Sequence, residues 1–315
     1  MEKFVWQITI KVNIFVLRLI GLWPKGRDNY KIDSYTLYSL LLLIFFMTMH
    51  DAVLTYTLLQ VYTNLEALTE VIFMYGLETL LIFKVCCFMK NMTSVKEIMH
   101  HLNDDLFQPK NPQQIILVHP GLKEWKITYT IFSTSMVANI FFWTFYPILD
   151  GSVKERRLPF LALYPYDFKK SPFYQLTYLH QIISVSLMAI AAINIDMFLG
   201  AVMAYIGSQC ELICDNLKNI QEYNFAETFL KCVRQYKLVL TVVEKFEGFF
   251  SFIVLGQLLA SGVCIGLAMF HLTLVVPLSS EFYSLLFYII SISLQIFQYC
   301  WFGNQVEMKV RIVLH

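Results

Sequence analysis

Along this chain the apolar residues come in long blocks rather than in short alternating runs. Six blocks stand out: Leu37–Gln60, Leu68–Met89, Ile127–Leu149, Leu176–Ser208, Gly248–Val276 and Phe282–Phe302. Each reaches the roughly 20 residues that an α-helix needs to cross a hydrocarbon layer about 30 Å thick. Backbone groups in lipid find no water, so each block must satisfy its own hydrogen bonds as a helix. A closed barrel would instead show segments of about ten residues that alternate apolar and polar. The pattern predicts an all-α fold, a polytopic membrane helix bundle of six transmembrane helices in a single domain, 1–315.

The stretches between the blocks complete the plan. The N-terminal segment, 1–36, is apolar but broken by Lys11 and Arg18, and it lacks a small-residue cleavage pattern. It reads as an amphipathic helix on the cytoplasmic interface, with Trp6 and Trp23 at headgroup level and Pro24-Lys25-Gly26 as its end. Helices one to four occupy 37–208. Apart from Asp196, no charge interrupts the 35 residues from Gln175 to Gln209. As a helix they would reach about 52 Å, so the fourth helix should project into the cytoplasm. Residues 209–247 place Leu212, Ile213, Leu217 and Ile220, then Phe229, Val233, Tyr236 and Leu240, at helical spacing. They predict a helical extension outside the membrane. Helices five and six follow at 248–302, and a cytoplasmic tail at 303–315. The outer connection at 150–174 is long and rich in Pro and Tyr, which predicts a stiff, packed lid.

Composition agrees. With 57% hydrophobic residues, 15% charged ones and a mean hydropathy of +0.57, the chain lacks the polar cover of a soluble domain. A net charge of +1 gives no reason to expect a nucleic-acid partner; the partner is the lipid bilayer. Of the 24 Lys and Arg, nineteen fall on the side of the N-terminal segment, the second and fourth connections and the tail, and five on the other. Cytoplasmic flanks collect such charge, so both termini are predicted to be cytoplasmic. None of the seven cysteines falls in a predicted outer loop, which points to reduced thiols or small buried apolar groups. The glycosylation pattern Asn91-Met92-Thr93 lies on the predicted inner side.

Signals for enzyme chemistry are missing: there is no nucleophile elbow, zinc-protease helix, C-x-x-C or phosphate loop. His100-His101 with Asp104-Asp105 reads as a solvated cytoplasmic cluster, so no metal and no cofactor is expected. Ionisable groups do lie within the blocks: His50-Asp51, Glu78 and Asp196. Each costs on the order of 2.5–3.5 kcal/mol at a helix centre. A transporter would use them for ion coupling. Without a pair of broken helices or a repeat symmetry, the simpler reading is that they bond to neighbouring helices. The outer halves of blocks two to four carry Phe73, Tyr75, Phe142, Trp143, Tyr146, Tyr174 and Tyr178. Set beneath the lid, they suggest an apolar cavity for a small volatile molecule. The candidate ligand-binding residues are Phe73, Phe142, Trp143, Tyr146 and Tyr178. A ligand of about ten heavy atoms would bind with roughly −5 to −8 kcal/mol.

Three stretches, in order along the chain, resemble the insect odorant receptor family, most closely its large hymenopteran subfamilies: Arg157–Gln181 (RLPFLALYPYDFKKSPFYQLTYLHQ), Gly256–Phe270 (GQLLASGVCIGLAMF) and Gln295–Lys309 (QIFQYCWFGNQVEMK). The resemblance covers the whole chain. It implies a fold of seven helices with a cytoplasmic N-terminus, and an odorant pocket in the outer half among helices two to four and six. It implies a subunit of a ligand-gated cation channel that assembles with a shared co-receptor as a heterotetramer in the plasma membrane of olfactory sensory neurons. It also implies a cytoplasmic anchor between subunits at the end of helix six, where Tyr299, Trp301 and Asn304 fall. Two departures are visible. Gln305 stands where the family usually has Glu, and only VEMKVRIVLH follows the sixth block, so the family's pore-lining seventh helix is missing and this form is expected not to conduct. Two other classes of function remain: a gustatory-type chemoreceptor for non-volatile ligands, and a small-solute transporter.

Overall fold

A computed structural model describes residues 4–6, 9–26, 30–149, 151–221 and 224–314, leaving aside the side chains of 66, 73, 146, 280, 281 and 314. Among the described residues there is no strand. The elements are α1 (Lys11–Leu19), α2 (Ser34–Leu42), a π-helical turn (Leu43–Thr48), α3 (Met49–Val61), α4 (Leu65–Lys90), α5 (Met92–His101), α6 (Pro112–Leu149), α7 (Phe173–Lys218), α8 (Phe225–Leu274) and α9 (Ser280–Leu314). The π turn joins α2 and α3 into one rod, so six long rods contain the six apolar blocks. The stretches Ser34–Val61, Ala67–Lys90, Phe173–Lys218, Phe225–Leu274 and Phe282–Val313 are each long and apolar enough to cross a bilayer. The block at Ile127–Leu149 forms the second half of α6, which packs on α7 and α9.

The centre of the bundle is α7, in contact with α1, α4, α6, α8 and α9. From Ile193 to Val202 every residue of α7 is buried. A helix that is apolar all round belongs in a core, and this stretch (INIDMFLGAV) has one charge, Asp196.

The N-terminal segment departs from its sequence reading. Trp6 and Trp23 are buried in protein rather than held at a headgroup layer. Trp6 meets Tyr205 edge-on at 5.7 Å, and the Tyr205 hydroxyl donates to the Trp6 carbonyl at 2.9 Å. Trp23 packs on Phe198 at 5.6 Å. Asn13 donates to the Asn194 carbonyl at 2.9 Å. The reason is local: Gly21, at φ +83°, turns the chain against α2, and a Cβ there would stand 2.9 Å from the Ser39 Cα. Only glycine permits both the backbone angle and the approach. The Gly21 carbonyl then accepts from Ser39 Oγ and the Tyr30 hydroxyl.

The region 209–247 is largely helical. The chain from Gln209 to Lys218 continues α7, and from Phe225 onward it belongs to α8. The tail is likewise helical: α9 runs through Gly303 to Leu314, with Glu307 and Arg311 paired at 2.5 Å one turn apart. The outer connection is packed down. Phe160 exchanges two hydrogen bonds with the Gln181 amide, at 3.3 and 3.2 Å, and the Leu163 N–H donates to Thr57 Oγ1 at 2.8 Å. The connection's own Leu158, Phe160 and Ala162 are buried. Asp150, at its start, lies outside the described residues.

A candidate ligand cavity with a polar floor

Between α4, α6, α7, α8 and α9 lies a cavity of about 120 Å³. Met74, Leu77, Met136, Ile140, Val185 and Ile292 supply much of its apolar wall. Phe160 descends from the connection and stacks on Trp143, with ring centroids 5.1 Å apart and planes at 23°. This pair lines one end, and the Gln181 amide holds the Phe160 backbone there.

The other end is polar. Lys84, Gln257 and Gln295 line it. Lys84 Nζ donates to Asp196 Oδ1 at 2.6 Å and to Gln257 Oε1 at 2.8 Å. Asp196 also accepts from Gln295 Nε2 and, at 2.6 Å, from the Tyr299 hydroxyl. Gln257 Nε2 donates to Gln295 Oε1 at 3.1 Å and to Ser261 Oγ at 3.0 Å. Lys84 is 1% exposed and Asp196 0%, so this is a buried ion pair, and neighbours supply further hydrogen bonds to both ends. It ties α4, α7, α8 and α9 together at one point. A second ionisable pair, His50 Nδ1 to Glu78 Oε2 at 3.0 Å, links α3 to α4, and Glu78 lines the cavity. Thr79 Oγ1 donates to Asp51 Oδ1 at 2.9 Å across the same helices. The charges within the blocks thus bond between helices.

Trp143 lines the cavity. Phe142 and Tyr178 are not among the residues that do. Phe142 stacks on Phe287 at 4.6 Å, and the Tyr178 hydroxyl donates to the Thr144 carbonyl at 2.7 Å. The side chains of Phe73 and Tyr146 lie outside the described residues. Of the three residues placed at a subunit anchor, Tyr299 is turned inward onto Asp196. Trp301 and Asn304 stand on an exposed face of α9, and Trp301 stacks on Phe297 at 5.7 Å.

Sequence reasoning missed Lys84, counted there as the flank of a cytoplasmic loop. The signal was present: Lys84 falls inside the second apolar block, between Phe83 and Val85, and Asp196 offers the opposite charge in the fourth. It also missed Phe160, Gln257, Tyr288 and Gln295, because the cavity reaches α8 and α9 while the search followed aromatic residues of three blocks.

Known proteins share this architecture. Odorant receptor Or1 of Anopheles gambiae is 22% identical over 330 residues, which cover 94% of this chain and 78% of that protein. The insect olfactory receptor OR5 of Machilis hrabei aligns with a TM-score of 0.85 at 16% identity, across 98% of this chain and 82% of that one. OR5 in complex with eugenol aligns with a TM-score of 0.83 at 15% identity, across 96% and 81%. At such identities the two structures speak for the fold. The family model for the 7tm odorant receptors matches residues 64–312, and the chain belongs to that family of multi-pass membrane proteins.

Proposed function

We propose that this chain is an odorant-binding subunit whose ligand, a small volatile and mostly apolar molecule, occupies the cavity beneath Phe160 and Trp143. The observation that carries the reading is the cavity itself: set between five helices, largely apolar, with a few polar groups at one end. The OR5 structure with eugenol supports it, since a protein of the same fold holds a small aromatic molecule. The volume sharpens the expectation. An apolar cavity of about 150 Å³ accommodates benzene, so about 120 Å³ suits a ligand near six heavy atoms rather than ten. At roughly −0.5 to −0.8 kcal/mol per atom, binding of about −3 to −5 kcal/mol corresponds to millimolar to hundreds of micromolar affinity. Such a ligand suits a sensor that must release it quickly.

The subunit acts, on this reading, with a shared co-receptor in a ligand-gated cation channel of the plasma membrane of olfactory sensory neurons. The exposed Trp301 and Asn304 on α9 are its candidate contacts with a neighbouring subunit. Filling the cavity tests the core of the proposal. Ala189 lines it, and Ala189→Phe puts a ring into the space. In the purified chain in lipid nanodiscs, small aromatic volatiles are expected to raise the melting temperature of the wild type and not that of the variant. Equal stabilisation of both would place the ligand elsewhere.

A further inference from the structure

Beside the main cavity lies a recess of about 10 Å³. Met74, Glu78, Trp143 and Phe160 line both spaces, so the two are separated by no more than side chains. About 10–15 Å³ is the room needed by one water-sized group. The polar walls of the recess come from His50, Glu78 and Glu70. His50 is 1% exposed. Its Nδ1 lies 3.0 Å from Glu78 Oε2, and its Nε2 is buried with no hydrogen-bond partner. A carboxylate only accepts, so Nδ1 carries a hydrogen, and Nε2 presents a lone pair in the neutral ring or a second N–H in the charged one. An unpaired buried polar atom is costly, and a partner that satisfies it gains correspondingly.

The recess thus offers acceptors at Glu70 and Glu78, an N–H donor on Trp143, and His50 Nε2, and the space admits one heavy atom. A hydroxyl, which both donates and accepts, fits these conditions. A carboxyl or amide is too large. An ammonium only donates and has no lone pair to offer an N–H. Resting on the cavity reading above, we propose that the ligand is a small alcohol or phenol: its hydrocarbon body fills the main cavity, and its hydroxyl bonds to His50 Nε2 in the recess.

Three probes of equal heavy-atom count test this: benzyl alcohol, ethylbenzene and benzylamine, with dissociation constants measured by equilibrium dialysis on the full chain in lipid nanodiscs. Water favours the alcohol over the hydrocarbon, so the informative quantity is the ratio of their constants and how variants move it. His50→Leu removes the hydrogen-bonding partner and is expected to shift the ratio about tenfold against benzyl alcohol. Because that variant strands Glu78, Val71→Leu provides a second route: it fills the recess, leaves the His50–Glu78 pair in place, and should shift the ratio in the same direction. A ratio unmoved in the variants, with both probes still bound, overturns the hydroxyl assignment and leaves the recess to a water molecule. A larger loss for benzylamine than for benzyl alcohol overturns it in favour of a cation site. If no probe binds the wild type, the cavity reading itself fails and the hydroxyl assignment falls with it.

Discussion

At the scale of single residues, the bond between Lys84 and Asp196 decides how the polar floor behaves. The two ends of the pair are unequally supported. Asp196 keeps the Gln295 amide and the Tyr299 hydroxyl if Lys84 is lost, whereas Lys84 keeps only the Gln257 oxygen if Asp196 is lost. Breaking a buried ion pair from one side costs about 3–5 kcal/mol, because the remaining charge is stranded. Asp196→Leu should therefore destabilise the protein more than Lys84→Met, and the double variant should recover much of the loss. Thermal unfolding of the detergent-solubilised chain reads the order directly; equal losses, or the reverse order, would show that the amides and the hydroxyl contribute little. The same residues show what the sequence hides. That Asp196 bonds to other helices follows from the cost of leaving it alone in lipid. That its partner is Lys84 depends on which faces of α4 and α7 meet, and this is a property of packing. Tyr299 teaches the same lesson in reverse, since a residue in a family signature turns inward because a buried carboxylate is within reach.

Among elements, contact between helices is set by small residues. At Gly200 on α7 a Cβ would lie 3.0 Å from Phe302 Cδ2 and 3.2 Å from its Cε2, on α9. Helices surrounded by lipid gain little from apolar burial and rely on close packing, which small residues permit. Phe302 is buried, so its ring has little room to yield. Overpacking of this kind costs about 1–3 kcal/mol. Gly200→Ala should lower the melting temperature, and Phe302→Leu in that background should restore part of the loss, although alone it creates a void. Strictly additive shifts would mean that the ring moves aside freely. The existence of the six long rods was plain from the sequence because every apolar block is long enough to cross a bilayer. The ends were not: α7, α8 and α9 run well past the blocks they contain. Hydropathy marks where a helix leaves lipid, and a backbone with no proline or cap continues beyond that point. The N-terminal segment was misjudged for a related reason. Its aromatic residues suit an interface as well as a core, and only the turn at Gly21 distinguishes the two.

For the whole molecule, the remaining question is which way it faces. The bias of Lys and Arg was nineteen against five; removing Lys84, which is buried against Asp196 rather than set in a loop, leaves eighteen against five. The inference of a cytoplasmic N-terminus and an outward connection over Phe160 is unchanged, since each positively charged flank moved across the membrane opposes insertion in that sense. One substitution tests it without a tag. Lys169→Asn, at an exposed position of the connection, creates the pattern Asn-Lys-Ser and hence a glycosylation acceptor. Asn91-Met92-Thr93, between α4 and α5, is a natural acceptor on the opposite side. Glycosylation takes place only on chain exposed to the secretory lumen. The variant expressed in insect cells should gain one glycan that an endoglycosidase removes, while the wild type gains none. A glycan on the wild-type chain, removed by Asn91→Gln, would invert the bundle. It would place the connection that carries Phe160 in the cytoplasm, where airborne molecules could reach it only through the lipid.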